Sequence, residues 1–395
     1  MKILMVISQG YVGGGAENSL MLTRSELLAR GHQVKILSAD DPKHDLFSDY
    51  TFRTIPLHSP LKALHHLFYV RSYRALKAAI RDFQPDVIHF HTLGSCSPSI
   101  LFAAGRVPAV MTIHGPEEFT LSLLPWFLGA SDFKNQDFDT AHLTFTGFLK
   151  YQYFRFVQRP IYRLGLKRLR HVMAPSRYMR RTTHTDFPGV PMTVVPNGIK
   201  LPSAHALPPS PTLLFVGRIE PLKGINYLLQ AFAQATPVLP LLKLRIVGTG
   251  PQLPALRQAA IDLGIAHQTE FCGWIQPSHI RNEYLRSSAL VIPSICPEAF
   301  GLVAVEAMAT GRPVIATDLG SLPELVTHAH TGLVVPPADA NRLAAAIVQL
   351  FQTPGLLPKL AAEAAQSAQR FSITRHIDQL ETIYRDATEP SATPL

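Results

Sequence analysis

The chain alternates short apolar runs with amphipathic stretches, and it does so twice, on either side of a proline-rich break. Residues 2–8 (KILMVIS) read as a buried strand, followed by a glycine loop at 10–15, a helix over 17–30 that stops at Gly31, and a strand at 34–39. A helix at 71–83, a strand at 87–90, a helix at 99–104 and strands at 109–113, 170–175 and 194–195 continue the pattern. Residues 197–211 are rich in proline and small polar side chains and read as a linker. Beyond them, strands at 213–216, 243–247, 269–271, 289–292 and 313–316 alternate with helices at 224–236, 253–263, 278–286, 302–310 and 341–352. Such alternation with short connections requires a parallel sheet covered on both faces. A length of 395 residues is too great for one core. The expected fold class is therefore α/β, with two Rossmann-like domains at 1–196 and 212–372. A last helix at 373–388 is expected to pack back onto the first. Ligands of open α/β sheets bind beyond the carboxyl ends of the strands, so the expected binding place is a cleft between the two domains.

Composition narrows the class. The chain is 47% hydrophobic and only 16% charged, as expected of a globular protein with large cores. No apolar run reaches transmembrane length, the longest (100–113) being broken by Arg106 and Pro108. The N-terminal run is too short for a signal peptide. Cys96, Cys272 and Cys296 are few and far apart, which argues against a disulfide framework or a zinc site and suits a reducing cytoplasm. The net charge of +9 lies in residues 1–195. Between Asp139 and Asp186 there is no acidic residue, while segment 150–181 interleaves Lys and Arg with Tyr151, Tyr153, Phe154, Phe156, Tyr162 and Leu164. It reads as a basic, aromatic amphipathic helix. Such a helix either lies on an anionic membrane surface, placing the protein at the inner membrane face, or packs on the core with its cations solvated. Nucleic acid is the least favoured partner. A helix over 61–83, with Lys62, Arg71, Arg74, Lys77 and Arg81, would extend the same face.

The chemistry concentrates at residues 297–306, PEAFGLVAVE. Phe300 and Gly301 enter a helix whose apolar positions Val303, Ala304, Ala307 and Met308 recur at helical spacing. Glu298 stands just before the helix N-terminus and Glu306 lies inside it. A helix N-terminus attracts phosphate, and carboxylates accept paired bonds from vicinal hydroxyls, so the arrangement suggests a sugar nucleotide. Two solvated acids beside a helix cap are the alternative. Arg218, at the end of strand FVGR, and Lys223 are two nearby cations suited to a diphosphate without a metal; two solvated surface cations are the alternative. His114 ends a strand and reads either as structural or as a partner for a sugar hydroxyl. His89 and His91 point the same way, toward a polar rim, and with His114 they suggest a metal site, which is rejected because no ligating carboxylate has a matching spacing. Gly13–Gly15 form a loop that lets N–H groups approach a phosphate, though without the third glycine of a dinucleotide fingerprint. Gly248–Pro251 and Gly273–Ile275, with Trp274, are candidate walls for a nucleobase, or ordinary turns.

Taken together, these pieces resemble family 4 of the retaining GT-B glycosyltransferases. The resemblance lies in GGGAE at 13–17, TIHG at 112–115, VPNGI at 195–199, FVGRIEPLKG at 215–224, VGTGP at 247–251 and PEAFGLVAVEAMATGRPVIA at 297–316. It covers nearly the whole chain in order, with its most specific part in the second half. It implies that Arg218 and Lys223 hold the donor diphosphate, Glu298 the transferred sugar and Glu306 the nucleotide ribose. It also implies that backbone N–H groups at Phe300, Gly301 and Leu302 support the diphosphate, that Gly14 and Gly15 approach donor and acceptor, that Gly217 lies in the donor loop, and that His114 lies by the reacting centre. No metal or other cofactor is implied. The reaction would be a front-face displacement, with domain closure about Asn197–Gly198. Stretch 132–153 matches no family pattern and is the expected seat of acceptor choice. A sugar-nucleotide epimerase of the same fold and a catalytically silent binding or membrane-scaffold protein are the competing functions.

Overall fold

In the computed structural model the described residues are 1–41, 44–54, 67–94, 96–115, 145–202 and 205–389. Contacts divide the chain into two units, residues 1–198 with 373–395, and 199–372.

The first unit is built on a seven-stranded parallel sheet. Its strands are β1 (Lys2–Gln9), β2 (Gln33–Ala39), β3 (Tyr50–Phe52), β4 (Val87–Phe90), β5 (Ala109–Thr112), β6 (His171–Ala174) and β7 (Met192–Val194). They lie in the order β3-β2-β1-β4-β5-β6-β7. Ile3 pairs with Val34 on one side and with Val87 on the other, so the order reverses between β1 and β4. Strands β4 and β5 are buried at every residue, as sheets covered on both faces require. Helix Ile373–Thr388, from the far end of the chain, belongs to this unit. Its buried Ile373, Ile377, Leu380 and Tyr384 recur at three- and four-residue spacing and join Ile3, Met5, Leu20 and Leu27 in one core. Arg30 fixes its outer face through Asp378 at 2.7 Å and Glu381 at 3.2 Å.

The second unit carries a six-stranded parallel sheet of β8 (Thr212–Val216), β9 (Lys243–Val247), β10 (Thr269–Gly273), β11 (Ala289–Ile292), β12 (Val314–Thr317) and β13 (Gly332–Val335). The order is β10-β9-β8-β11-β12-β13, so the reversal falls between β8 and β11. Two apolar clusters, one on each face, hold its helices: Leu228, Phe232 and Ile347 on one side, Ala304, Met308 and Leu322 on the other.

Three expectations are corrected here. The described part of 197–211 is not a free linker, because the unit boundary falls after Gly198. Ile199 donates its N–H to Phe371 O at 2.9 Å, and the buried Arg312 guanidinium donates to His205 O at 3.1 Å and Ala206 O at 2.9 Å. Segment 150–181 is not one helix. Helix Phe145–Tyr153 continues through a π turn at Phe154–Gln158 into Arg159–Leu166, after which β6 intervenes before helix Arg177–Thr183. The strand expected at 170–175 is β6, and it interrupts the helical part of the basic segment. Finally, His89 and His91 do not face a polar rim; both are buried. Residues 61–66 and 132–144, which the readings of a helix at 61–83 and of an acceptor segment include, lie outside the described residues.

Candidate functional site

The reversal point of a parallel sheet leaves a crevice at the strands' carboxyl ends, because successive connections there run to opposite sides. In the second unit the loops leaving β8 and β11 flank that point. After β8 the chain passes Gly217 and Arg218, makes a short turn at Pro221–Lys223, and enters helix Ile225–Ala235 through Gly224. Gly224 has φ 67°, and a Cβ there would lie 1.9 Å from the carbonyl oxygen of Pro293, just past β11. Only glycine lets the two loops approach so closely, and this approach sets Lys223 against the 294–298 segment. On that segment Glu298 forms a parallel bridge with Gly320, where a Cβ would meet Glu298 N and O at 2.5 Å. Ser321 donates its N–H and its hydroxyl to Glu298 O at 3.0 and 2.9 Å.

The outcome is an ion pair. Lys223 Nζ donates to Glu298 Oε1 at 2.7 Å, and the Ser294 hydroxyl donates to the same oxygen at 2.6 Å. Burial alone would raise the Glu298 carboxyl, but Lys223, Ser294 and the nearby Arg218 outweigh it and hold the group below its usual range. Burial likewise opposes charge on Lys223, and Glu298 reverses that effect and raises it. Arg218, 69% exposed, pairs with Glu220 at 3.0 Å. The structure thus brings Arg218, Lys223 and Glu298 into one electrostatic group. The two cations are not bare, because each already has a carboxylate.

Glu306 is in a different state. It sits inside helix Leu302–Ala309 and accepts the Tyr284 hydroxyl at 2.7 Å. Burial pushes its carboxyl up to about 7, against the opposing effect of that bond. It makes no bond to Arg218, Lys223 or Glu298. The helix begins at Gly301 with φ 88° and no side-chain cap. Among the described residues the N–H groups of Phe300, Gly301 and Leu302 donate to no protein acceptor, so they are open to an anion. The Phe300 ring itself is buried, edge-on to Phe371 at 5.8 Å, which leaves only its backbone for a ligand. Trp274, just after β10, is 60% exposed.

In the first unit, Gly14 stands extended before helix Gly15–Ala29 with no side-chain cap. His114 follows β5, partly exposed. Its Nε2 lies 2.8 Å from His91 Nδ1. Burial pushes the His114 imidazole down to about 4, so it is neutral at pH 7. Among the described residues no group of three or more His, Cys, Asp or Glu is arranged to hold a metal ion.

Sequence reading missed the buried bonding partners, Ser294, Tyr284 and His91 as a partner of His114. Ser294 and His91 follow the ends of β11 and β4, which is the only signal they carry, and Tyr284, inside helix Ile280–Leu285, carries none.

Known families match these same elements. The model described as Glycosyltransferase Family 4 matches residues 13–201, and Glycosyl transferases group 1 matches residues 201–371. The phosphatidyl-myo-inositol mannosyltransferase of Mycobacterium leprae is 26% identical over 97% of this chain and 96% of its own length. The D-inositol 3-phosphate glycosyltransferase of Rhodococcus erythropolis is 40% identical over 44% of this chain, and the match spans only 40% of that relative. Among solved structures, Anabaena HepE in complex with UDP and glucose has a TM-score of 0.71 at 20% identity, covering 98% of this chain and all of that one. With one family model on each unit, and the sheet order and loops just described, the chain belongs to the family 4 glycosyltransferases of GT-B fold.

Proposed function

We propose that this chain transfers a hexose from a UDP- or GDP-linked sugar to an acceptor hydroxyl, with retention of configuration and without a metal. The observation that carries the reading is the Lys223–Glu298 pair at 2.7 Å, set beside Arg218. A ligand that brings both hydroxyls and a diphosphate satisfies each partner separately: the sugar hydroxyls take Glu298, and the phosphates take Lys223, Arg218 and the open N–H groups at 300–302. Glu306 accepts the ribose hydroxyls, Gly217 lets the chain approach the diphosphate, and Trp274 walls the base. Gly14 and Gly15 offer N–H groups to a phosphate or an acceptor, and His114 a neutral nitrogen to a hydroxyl.

In this mechanism the bond from the anomeric carbon to the diphosphate breaks while the acceptor oxygen bonds to the same face. The acceptor proton passes to the departing phosphate oxygen. Negative charge grows on that phosphate, where the cations and the helix N-terminus stabilise it more than in the ground state. The relatives' names support an inositol-containing or lipid-linked acceptor, and the UDP complex of the HepE neighbour supports a uridine donor.

The test is to incubate the chain with UDP-glucose and GDP-mannose, with and without candidate acceptors. Release of nucleoside diphosphate that rises with acceptor is expected, along with an α-linked product from an α-linked donor. An epimerised nucleotide sugar from donor alone would indicate an epimerase. A cellular phenotype that survives Lys223→Ala and Glu298→Ala would indicate a scaffold.

A second feature supports peripheral membrane attachment. No described helix is long and apolar enough to cross a membrane. Phe145, Leu149, Phe156 and Leu164 nevertheless stand exposed along 145–166, amid the exposed Arg155 and Arg163, while Arg159 is held by the buried Asp186 at 3.0 Å. Apolar side chains among cations suit an anionic lipid surface. Sedimentation with anionic vesicles at low salt is expected and should vanish at high salt; absence of binding at low salt would discard the attachment.

A further inference from the structure

The first unit holds a histidine cluster of which the proposed reaction uses only one end. His89 lies in β4 and His91 follows its last residue, Phe90, where its N–H still donates to Val6 O of β1 at 2.8 Å; residues two apart in extended chain share a face, and the two ring centroids lie 4.0 Å apart. His89 is satisfied at both nitrogens. Its Nδ1 meets the Tyr384 hydroxyl at 2.7 Å and its Nε2 meets the Thr112 hydroxyl at 2.8 Å. His91 is satisfied at one only. Its Nδ1 lies 2.8 Å from Nε2 of His114, while its own Nε2 is buried with no hydrogen-bond partner among the described residues.

That asymmetry determines where the protons sit. A neutral imidazole has one donor nitrogen and one acceptor. Burial keeps both rings neutral, holding His91 well below its ordinary range and His114 at about 4. Two arrangements of the His91–His114 bond remain. If His114 donates, His91 must carry its proton on Nε2, where a buried N–H has no acceptor. If His91 donates, its Nε2 is a bare lone pair. Orphaned buried N–H groups are rarer in proteins than acceptors left without a donor, so the second arrangement is favoured.

We infer that His91 is a positioning residue whose Nδ1–H donates to His114 Nε2 and fixes His114 in its Nδ1–H tautomer. The free edge of His114 is then a neutral donor that suits the oxygen of a hydroxyl. His114 Nδ1 takes no bond among the described residues and the side chain keeps part of its surface exposed. The functional meaning of this tautomer rests on the reading of His114 as a substrate contact; the tautomer itself does not.

The experiment is nitrogen NMR of the full chain, free of ligand, with 15N-labelled histidine at pH 7.5. His114 is assigned from the resonances that vanish in His114→Gln. Wild type should show a pyrrole-like Nδ1 and a pyridine-like Nε2 on His114. His91→Asn, whose amide nitrogen is bonded to Cγ as Nδ1 is, should keep that pattern. His91→Leu should move His114 to the Nε2–H form or to a mixture, with unfolding checked by circular dichroism. A pyrrole-like Nε2 on wild-type His114 overturns the inference whatever the variants do, and so does an unchanged tautomer in folded His91→Leu. Because no substrate is present, failure of the transferase reading would leave this result standing, and the reverse also holds.

Discussion

Lys223 Nζ and Glu298 Oε1, 75 residues apart in sequence, lie 2.7 Å apart beyond the carboxyl ends of β8 and β11. Their side chains are 23% and 18% exposed, so neither charge is fully solvated. Removing one partner leaves the other facing a low dielectric. Lys223→Met and Glu298→Gln should each destabilise the chain, and the double variant should lose less than the sum. The expected coupling is about 1–2 kcal/mol, reduced from fully buried values for solvent screening. A double-mutant cycle by urea denaturation measures it. Additive losses would mean that the pair does not form.

Glu306 should make nucleotide affinity depend on pH. Its carboxyl titrates at about 7 because burial disfavours the charged form. Ribose hydroxyls donate to a carboxylate, so binding favours the deprotonated state. Affinity should therefore rise with pH through neutrality, by about tenfold between pH 6 and pH 8. Calorimetric titration with the nucleoside diphosphate at several pH values tests this. Glu306→Gln should abolish the dependence, and a wild-type affinity flat across that range would separate Glu306 from the ribose.

Acid should unfold the first unit early. His89, His91 and His376 are buried, and burial lowers all three, His376 to about 4. Below the ordinary value of 6.5 the unfolded chain takes up protons that the folded chain refuses. Stability is thus fully present above pH 6.5 and is lost as pH falls toward 4. Three such groups give a slope of up to about 4 kcal/mol per pH unit. Thermal unfolding at pH 7, 6 and 5 should show a steep fall, and equal transition temperatures at pH 7 and 5 would contradict these protonation states.

Arg312 should be a structural clamp. It is 1% exposed, and its guanidinium donates to the carbonyls of Ser287, Leu285, His205, Ala206 and Thr310, with no carboxylate partner among the described residues. Those bonds tie residues 205–206 to the second unit's sheet. Arg312→Leu would leave several buried carbonyls unsatisfied and should cost at least about 3 kcal/mol. Arg312→Lys lacks the planar fork and should recover only part of it. Urea denaturation measures both; a loss below about 1 kcal/mol for Arg312→Leu would refute the clamp.

The two sheets were legible because their central strands carry continuous apolar runs between turn residues, as in ILMVI within β1 and ALVI at β11. The strands that escaped notice, Tyr50–Phe52 and Gly332–Val335, are short edge strands whose register depends on a neighbour already in place. Helix Leu356–Ala368 was not read either, although its buried Leu360, Ala361, Ala364 and Ala368 recur at helical spacing. At the site, Arg218, Lys223, Glu298 and Glu306 were visible as residue types in loops and at a helix start. Their electrostatic states were not. Whether a carboxyl is held down by Lys223 or pushed up beside Tyr284 depends on partners distant in sequence, and no local pattern encodes that. Arg312, flanked by Gly311 and Pro313, looks like an ordinary turn cation until its five carbonyls are in place.

The most direct test of the account is calorimetric binding of UDP and GDP to the full chain and to Arg218→Ala. One of the two nucleotides should bind wild type at a single site, and Arg218→Ala should weaken it at least about tenfold through loss of a charge-assisted phosphate contact. If neither nucleotide binds, or if the variant binds as tightly as wild type, the second unit does not hold a sugar diphosphate in the manner described.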